Sequence, residues 1–318
     1  MLILKKIGVI FLKIGISLAL LFFLFRQIDF SSLLTIIRKS YKPAIYLAFL
    51  LTGLVYFFCF FRWKILLDAA GINLPKKRLV SAFSGGVFFN MFLPSSIGGD
   101  FVRSADIGYH SKKNSAAVAT VFMDRLSGFA GMTILALFAM IIGFQSIKDV
   151  KIFYAVCFLV IILFAIILCV FNNPIYRFFR KILSSPRQVK VRQGLLGVLE
   201  QVRGFKKKKS VLFKIMLLSL AVQVIGPVAT YLLSLAFHLQ ISIVYFFLFI
   251  PIIGAVTLLP ISLGGLGVRD YTTIVLFASL GISKDLAFAF SLLTFFFLIA
   301  YAAIGGLIYA LTLHHRRV

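Results

Sequence analysis

Residues 152–171, IFYAVCFLVIILFAIILCVF, are twenty consecutive residues without a charge. As a helix such a run measures about 30 Å, the thickness of a bilayer's hydrocarbon core. Five more runs are long enough to cross: 7–25, 43–61, 115–143, 211–237 and 286–313. Each is continuous and rich in Leu, Ile and Phe, whereas barrel strands alternate over about ten residues. In lipid an open backbone must satisfy its own hydrogen bonds, which leaves helices. The chain is 61% hydrophobic and 14% charged, so the fold class is an all-α polytopic membrane protein.

Two apolar stretches are too short to cross. Residues 79–93 contain Gly85, Gly86 and Asn90, and residues 244–259 contain Pro251 and Gly254. Both run into the same motif. LPSSIGGDFVR at 93–103 returns as LPISLGGLGVR at 259–269, with seven of eleven positions identical. Paired Gly/Pro-interrupted segments in two halves of a membrane chain point to a transport site. We expect two re-entrant hairpins, the second closed by a half-length helix at 271–280. The expected organisation is a single integral membrane domain over 1–318. Repeat one covers about 43–171, a basic amphipathic segment 172–210, and repeat two about 211–313.

Charge supplies an orientation. The chain carries 34 basic and 9 acidic residues, a net +25. The basic residues flank the spans, which fits the positive-inside bias and anionic lipid rather than nucleic acid. Residues 172–210 hold eleven basic residues against Glu200. Their apolar positions (Ile175, Phe178, Phe179, Ile182; Leu195, Val198, Leu199, Val202) predict two amphipathic helices on a membrane surface. Placing this segment in the cytoplasm puts both termini there. The hairpins then enter from opposite faces, as an inverted repeat. The loop at 26–42, with four basic residues, falls outside, against the trend. The expected location is the cell (plasma or inner) membrane. The N-terminal run has no small-residue cleavage site after it and reads as an uncleaved span. Cys59, Cys157 and Cys169 lie in apolar runs with no metal or disulfide spacing, and no metal or cofactor is expected.

The motif residues carry the chemistry. Proline ends one segment, and Gly98 and Gly99, or Gly264 and Gly265, allow a tight exposed turn. A new helix start offers unpaired N–H groups, and Arg103 or Arg269 adds a permanent cation suited to phosphate. Ser96, Ser262 and Asn90 are candidate hydrogen-bonding neighbours. Asp100, Asp124, Arg125 and Asp270 are candidates for charge balance or ion coupling, since intramembrane charge is costly. A kinked helix with self-neutralising Arg–Asp pairs is the plainer reading of a single copy. Trp63 reads as an interface anchor, Arg62 as part of a basic loop, and His110 as solvated. No P-loop, GxSxG, HExxH or GxGxxG pattern is present.

These residues resemble the lysylphosphatidylglycerol synthase transmembrane-region, or flippase-like, family, which includes the membrane half of multiple peptide resistance factor. The match rests on Asn90, Leu93-Pro94, Gly98-Gly99-Asp100 and Arg103. It continues in Asp124-Arg125-Leu126 with Gly128, and in Pro260 with Gly264-Gly265-Leu266-Gly267-Val268-Arg269. The family's second motif often ends in glutamate, so Asp270 is a departure with a shorter reach. The resemblance implies transbilayer movement of a lipid with a charged headgroup, an anionic phospholipid or a polyprenyl-phosphate-linked lipid. The full synthases carry a soluble transfer domain after the membrane part. The chain ends at Val318, so a stand-alone module without lysyl transfer is expected. An intramembrane transferase using Asp100 or Asp124 as base, and a scaffold in envelope glycolipid synthesis, stay open. Homo-oligomerisation also stays open.

Overall fold

The computed structural model describes residues 38–92, 98–144, 150–174, 189–258 and 265–314. Its helices are α1 (Lys42–Ala69), α2 (Lys76–Phe92), α3 (Gly98–Ser111), α4 (Asn114–Ile142) and α5 (Val150–Phe171). There follow α6 (Val189–Gly204), α7 (Lys209–Ala236), α8 (Ile243–Leu258), α9 (Val268–Ala278) and α10 (Lys284–His314). The all-α expectation holds. Among the described residues, five helices are long and apolar enough to cross a membrane: α1, α4, α5, α7 and α10. The sixth expected span, 7–25, lies outside the described residues, as do the first amphipathic helix and Ser96, Ser262 and Gly264.

Local sequence sets most boundaries. Pro43 sits in the first turn of α1, where a missing N–H costs nothing. Gly71, at φ +70°, turns the chain after it. One expectation fails in detail: Pro251 does not break its segment, and α8 runs through it. Pro227 likewise sits inside α7, where Thr230 Oγ1 donates to the Gly226 carbonyl at 3.2 Å and the Pro227 carbonyl at 2.9 Å. Neighbouring helices make such prolines tolerable in a membrane bundle.

α1 and α7 pack antiparallel along their length. The Tyr41 N–H donates to the Ala236 carbonyl at 2.9 Å, and at the other end Lys208 Nζ donates to the Ala69 carbonyl. The α2–α3 pair starts from the Ala69 end and returns to it, where Lys113 Nζ reaches the Gly71 carbonyl at 2.8 Å. Near that return Arg78, Asp106 and His110 cluster, with His110 Nδ1 2.7 Å from the Asp106 carbonyl, so His110 is partly buried rather than solvated. The α8–α9 pair starts from the Ala236 end and returns there. Phe246 of α8 meets Phe277 of α9 at 6.0 Å, in one core with Phe237, Leu239 and Ile241.

Small residues let the short helices approach their neighbours. α2 lies on α10, where Gly305 faces the Ser84 carbonyl and Thr312 Oγ1 donates to Ser81 Oγ at 2.7 Å. α2 crosses α3 at Gly86 and Gly99. A β-carbon at Gly99 would overlap the Gly86 carbonyl oxygen, so backbone touches backbone there. The C-terminal end of the amphipathic α6 packs on protein, while Leu195 nearer its start is exposed. Val202 and the following Phe205 join Leu66, Ala119, Met123, Val170 and Ile215 in a core at the Ala69 end.

Candidate functional site

Each motif arginine lies in the first half of a short helix. Arg103 lies in α3 and Arg269 in α9, eight and nine residues before their last residues, Ser111 and Ala278. At 1.5 Å per residue they sit about 12 and 14 Å in from opposite ends of the bundle. Arg103 and Arg269 both line one cavity of about 330 Å³. Arg62, Arg125, Asp100, Asp124 and Asn90 line it too, with Cys59, Tyr56 and Thr257.

Around Arg103 the charges form a chain. Asp124 accepts from Arg62 Nε at 2.7 Å on one oxygen and from Arg103 Nη2 at 2.8 Å on the other. Asp100 lies 3.0 Å from Arg103 Nη2 and accepts from Arg125 Nε at 2.6 Å. The adjacent pair Asp124-Arg125 on α4 thus ties the spanning helix to the α2–α3 hairpin through both members. Arg62, Asp100, Arg103 and Asp124 are all buried. Arg62 Nη1 also donates to Ser219 Oγ of α7 at 3.0 Å. The Arg103 guanidinium lies 4.9 Å over the Trp63 ring, whose Nε1 donates to Thr120 Oγ1 at 3.3 Å. A cation over an aromatic face gains from the ring quadrupole.

Two expectations change here. Trp63 is fully buried beneath Arg103 and is no interface anchor. Arg62 is a buried ion-pair partner, because α1 continues to Ala69 instead of stopping at Phe61. An aspartate inside a span needs a cation at its own depth, and that requirement was the available signal for Arg62.

Around Arg269 the arrangement is smaller. Gly265 and Gly267 take positive φ of +79° and +77°, a backbone only glycine adopts freely. The Gly267 N–H donates to Asp270 Oδ2 at 2.9 Å, capping the first turn of α9. Asp270 Oδ1 accepts from Arg269 Nη2 at 2.9 Å and from Ser291 Oγ of α10 at 2.5 Å. Ser291 gave no sequence signal, since one serine in an apolar span does not reveal its facing. The Arg269 guanidinium lies 4.7 Å over the Phe295 ring.

Asn90 does two things. Its Oδ1 accepts from the Gly99 N–H at 2.8 Å, satisfying an otherwise open N–H at the start of α3, and it lines the cavity. Gly98 and Gly99 form that start. Two buried polar atoms in the site, Arg103 Nε and Arg269 Nη1, have no hydrogen-bond partner among the described residues. Both are donors. Among the described residues no group of three or more His, Cys, Asp or Glu could hold a metal ion.

The family described as "Lysylphosphatidylglycerol synthase TM region" matches residues 10–306, and the chain belongs to it. A relative named "UPF0104 membrane protein", from Methanothermobacter thermautotrophicus, is 26% identical over 277 residues, 80% of each chain. No solved structure matches the chain.

Proposed function

We propose that this member of the family moves a lipid or lipid-linked molecule with a charged headgroup across the bilayer. Arg103 and Arg269 hold the headgroup phosphate between the two broken helices. The observation that carries this reading is that both arginines line one cavity while belonging to hairpins that return to opposite ends. A site shared by two such hairpins can open to either face as one four-helix unit (α1–α4) rocks against the other (α7–α10). The antiparallel packing of α1 on α7 supports an inverted relation between the units.

The basic segment before α7 argues for a cytoplasmic Ala69 end, with the protein in the cell membrane and both termini inside. The transferase alternative needs a carboxylate able to take a proton. Asp100 and Asp124 each have both oxygens engaged by guanidinium groups, which leaves neither carboxylate disengaged to act on a substrate.

Purified protein in liposomes carrying fluorescent phosphatidylglycerol tests the reading. Dithionite quenching should report faster exchange of the inner-leaflet label than in protein-free vesicles. An unchanged rate would remove the transport reading. A covalently altered lipid found by mass spectrometry would favour the transferase.

A further inference from the structure

We infer that the cavity selects a compact lipid phosphate that carries no ammonium group. This rests on the transport reading of the same cavity and adds the headgroup's charge and size to it.

The carboxylates leave little for a cation to bind. Both oxygens of Asp124 are taken, by Arg62 and Arg103, and both of Asp100, by Arg103 and Arg125. Asp270 uses one oxygen on Arg269 and Ser291 and the other on the Gly267 N–H. The cavity wall holds four arginines (Arg62, Arg103, Arg125, Arg269) against two aspartates, Asp100 and Asp124. An ammonium entering it meets a net positive wall with no disengaged carboxylate oxygen among these three residues.

An anion meets the opposite. Arg103 and Arg269 are more than nine-tenths buried, and each keeps one buried N–H without a partner among the described residues. A buried donor left unpaired is costly, and a phosphate oxygen satisfies it with a charge-assisted bond. Size narrows the class further. About 330 Å³ is the low end for small-molecule sites, enough for a glycerophosphate-sized headgroup and too little for a long saccharide. The hydrocarbon chains therefore stay outside the cavity.

Binding in detergent tests this apart from transport. Short-chain phosphatidylglycerol and short-chain lysylphosphatidylglycerol share a phosphate and differ by the lysyl ammonium groups. Titration calorimetry should find the first at least tenfold tighter on the full-length protein. Arg269→Gln should collapse that preference, and Arg269→Lys should restore part of it. Glycerol 3-phosphate should bind much more weakly than the lipid.

Equal or tighter Arg269-dependent binding of the lysyl lipid would overturn the headgroup inference and leave the transport reading standing. A preference unchanged in Arg269→Gln would assign it to surface lysines and overturn the inference. Glycerol 3-phosphate binding as tightly as the lipid would make the ligand a soluble anion. Selective, Arg269-dependent binding with no accelerated exchange in liposomes would keep the inference and remove transport.

Discussion

Asp124→Ala is expected to destabilise the folded protein by about 3–5 kcal/mol, the cost of removing one partner from a buried ion pair. The carboxylate neutralises Arg62 and Arg103 together, from α1 and α3. Without it Arg103 keeps Asp100, but among the described residues Arg62 keeps only the neutral Ser219 hydroxyl as a hydrogen-bond partner. A buried cation without a counter-charge cannot be hydrated at that depth, so the helices must separate or admit water. Thermal unfolding of the detergent-solubilised protein measures the loss. Asp124→Asn should fall nearly as far, because the amide keeps the size and loses the charge. Adding Arg62→Gln to Asp124→Asn should recover part of the stability, since the orphaned cation is then gone. A fully additive double variant would show that the two side chains are not coupled.

Arg269→Gln should slow lipid exchange about ten- to a hundredfold, the equivalent of one or two charge-assisted hydrogen bonds. Arg269 separates binding from folding better than Arg103 does. Arg103 bridges Asp100 and Asp124, so its removal also unties the α3–α4 contact. Arg269 has Asp270 as its ion-pair partner, and Asp270 keeps bonds from Ser291 and the Gly267 N–H when the guanidinium is lost. Arg269→Lys keeps the charge but loses the planar fork, and should fall between wild type and glutamine. An exchange rate unchanged in Arg269→Gln, with the protein folded, would remove Arg269 from the site.

Much of the architecture is legible in the sequence because lipid selects so strongly on hydropathy. The run at 152–171 could be little else than a span, and α5 covers it. The short runs before each motif have the wrong length for a crossing, and the structure makes them α2 and α8. What hydropathy blurs is where a helix ends. Charged Arg62 and polar Trp63 look like the start of a loop, yet α1 goes on for seven more residues after Arg62 because Asp124 and Thr120 meet them inside the bundle. The amphipathic α6 shows a similar ambiguity. Its 3.6-residue pattern tells of one apolar face but not whether lipid or protein covers it, and here Val202 is buried against protein. In the candidate site the motif supplies both arginines and the glycines, and the short run before its first copy supplies Asn90. Ser219 and Ser291 depend on the rotation of α7 and α10, which a single sequence does not encode in any local pattern.

If one phosphate site is shared by the two hairpins, a structure of the protein in nanodiscs of phosphatidylglycerol will show it. Phosphate density is expected in the cavity, within hydrogen-bonding distance of Arg103 Nε and Arg269 Nη1 together. Headgroup density confined to the basic surface at the Ala69 end, with the cavity between Arg103 and Arg269 holding only water, would contradict it.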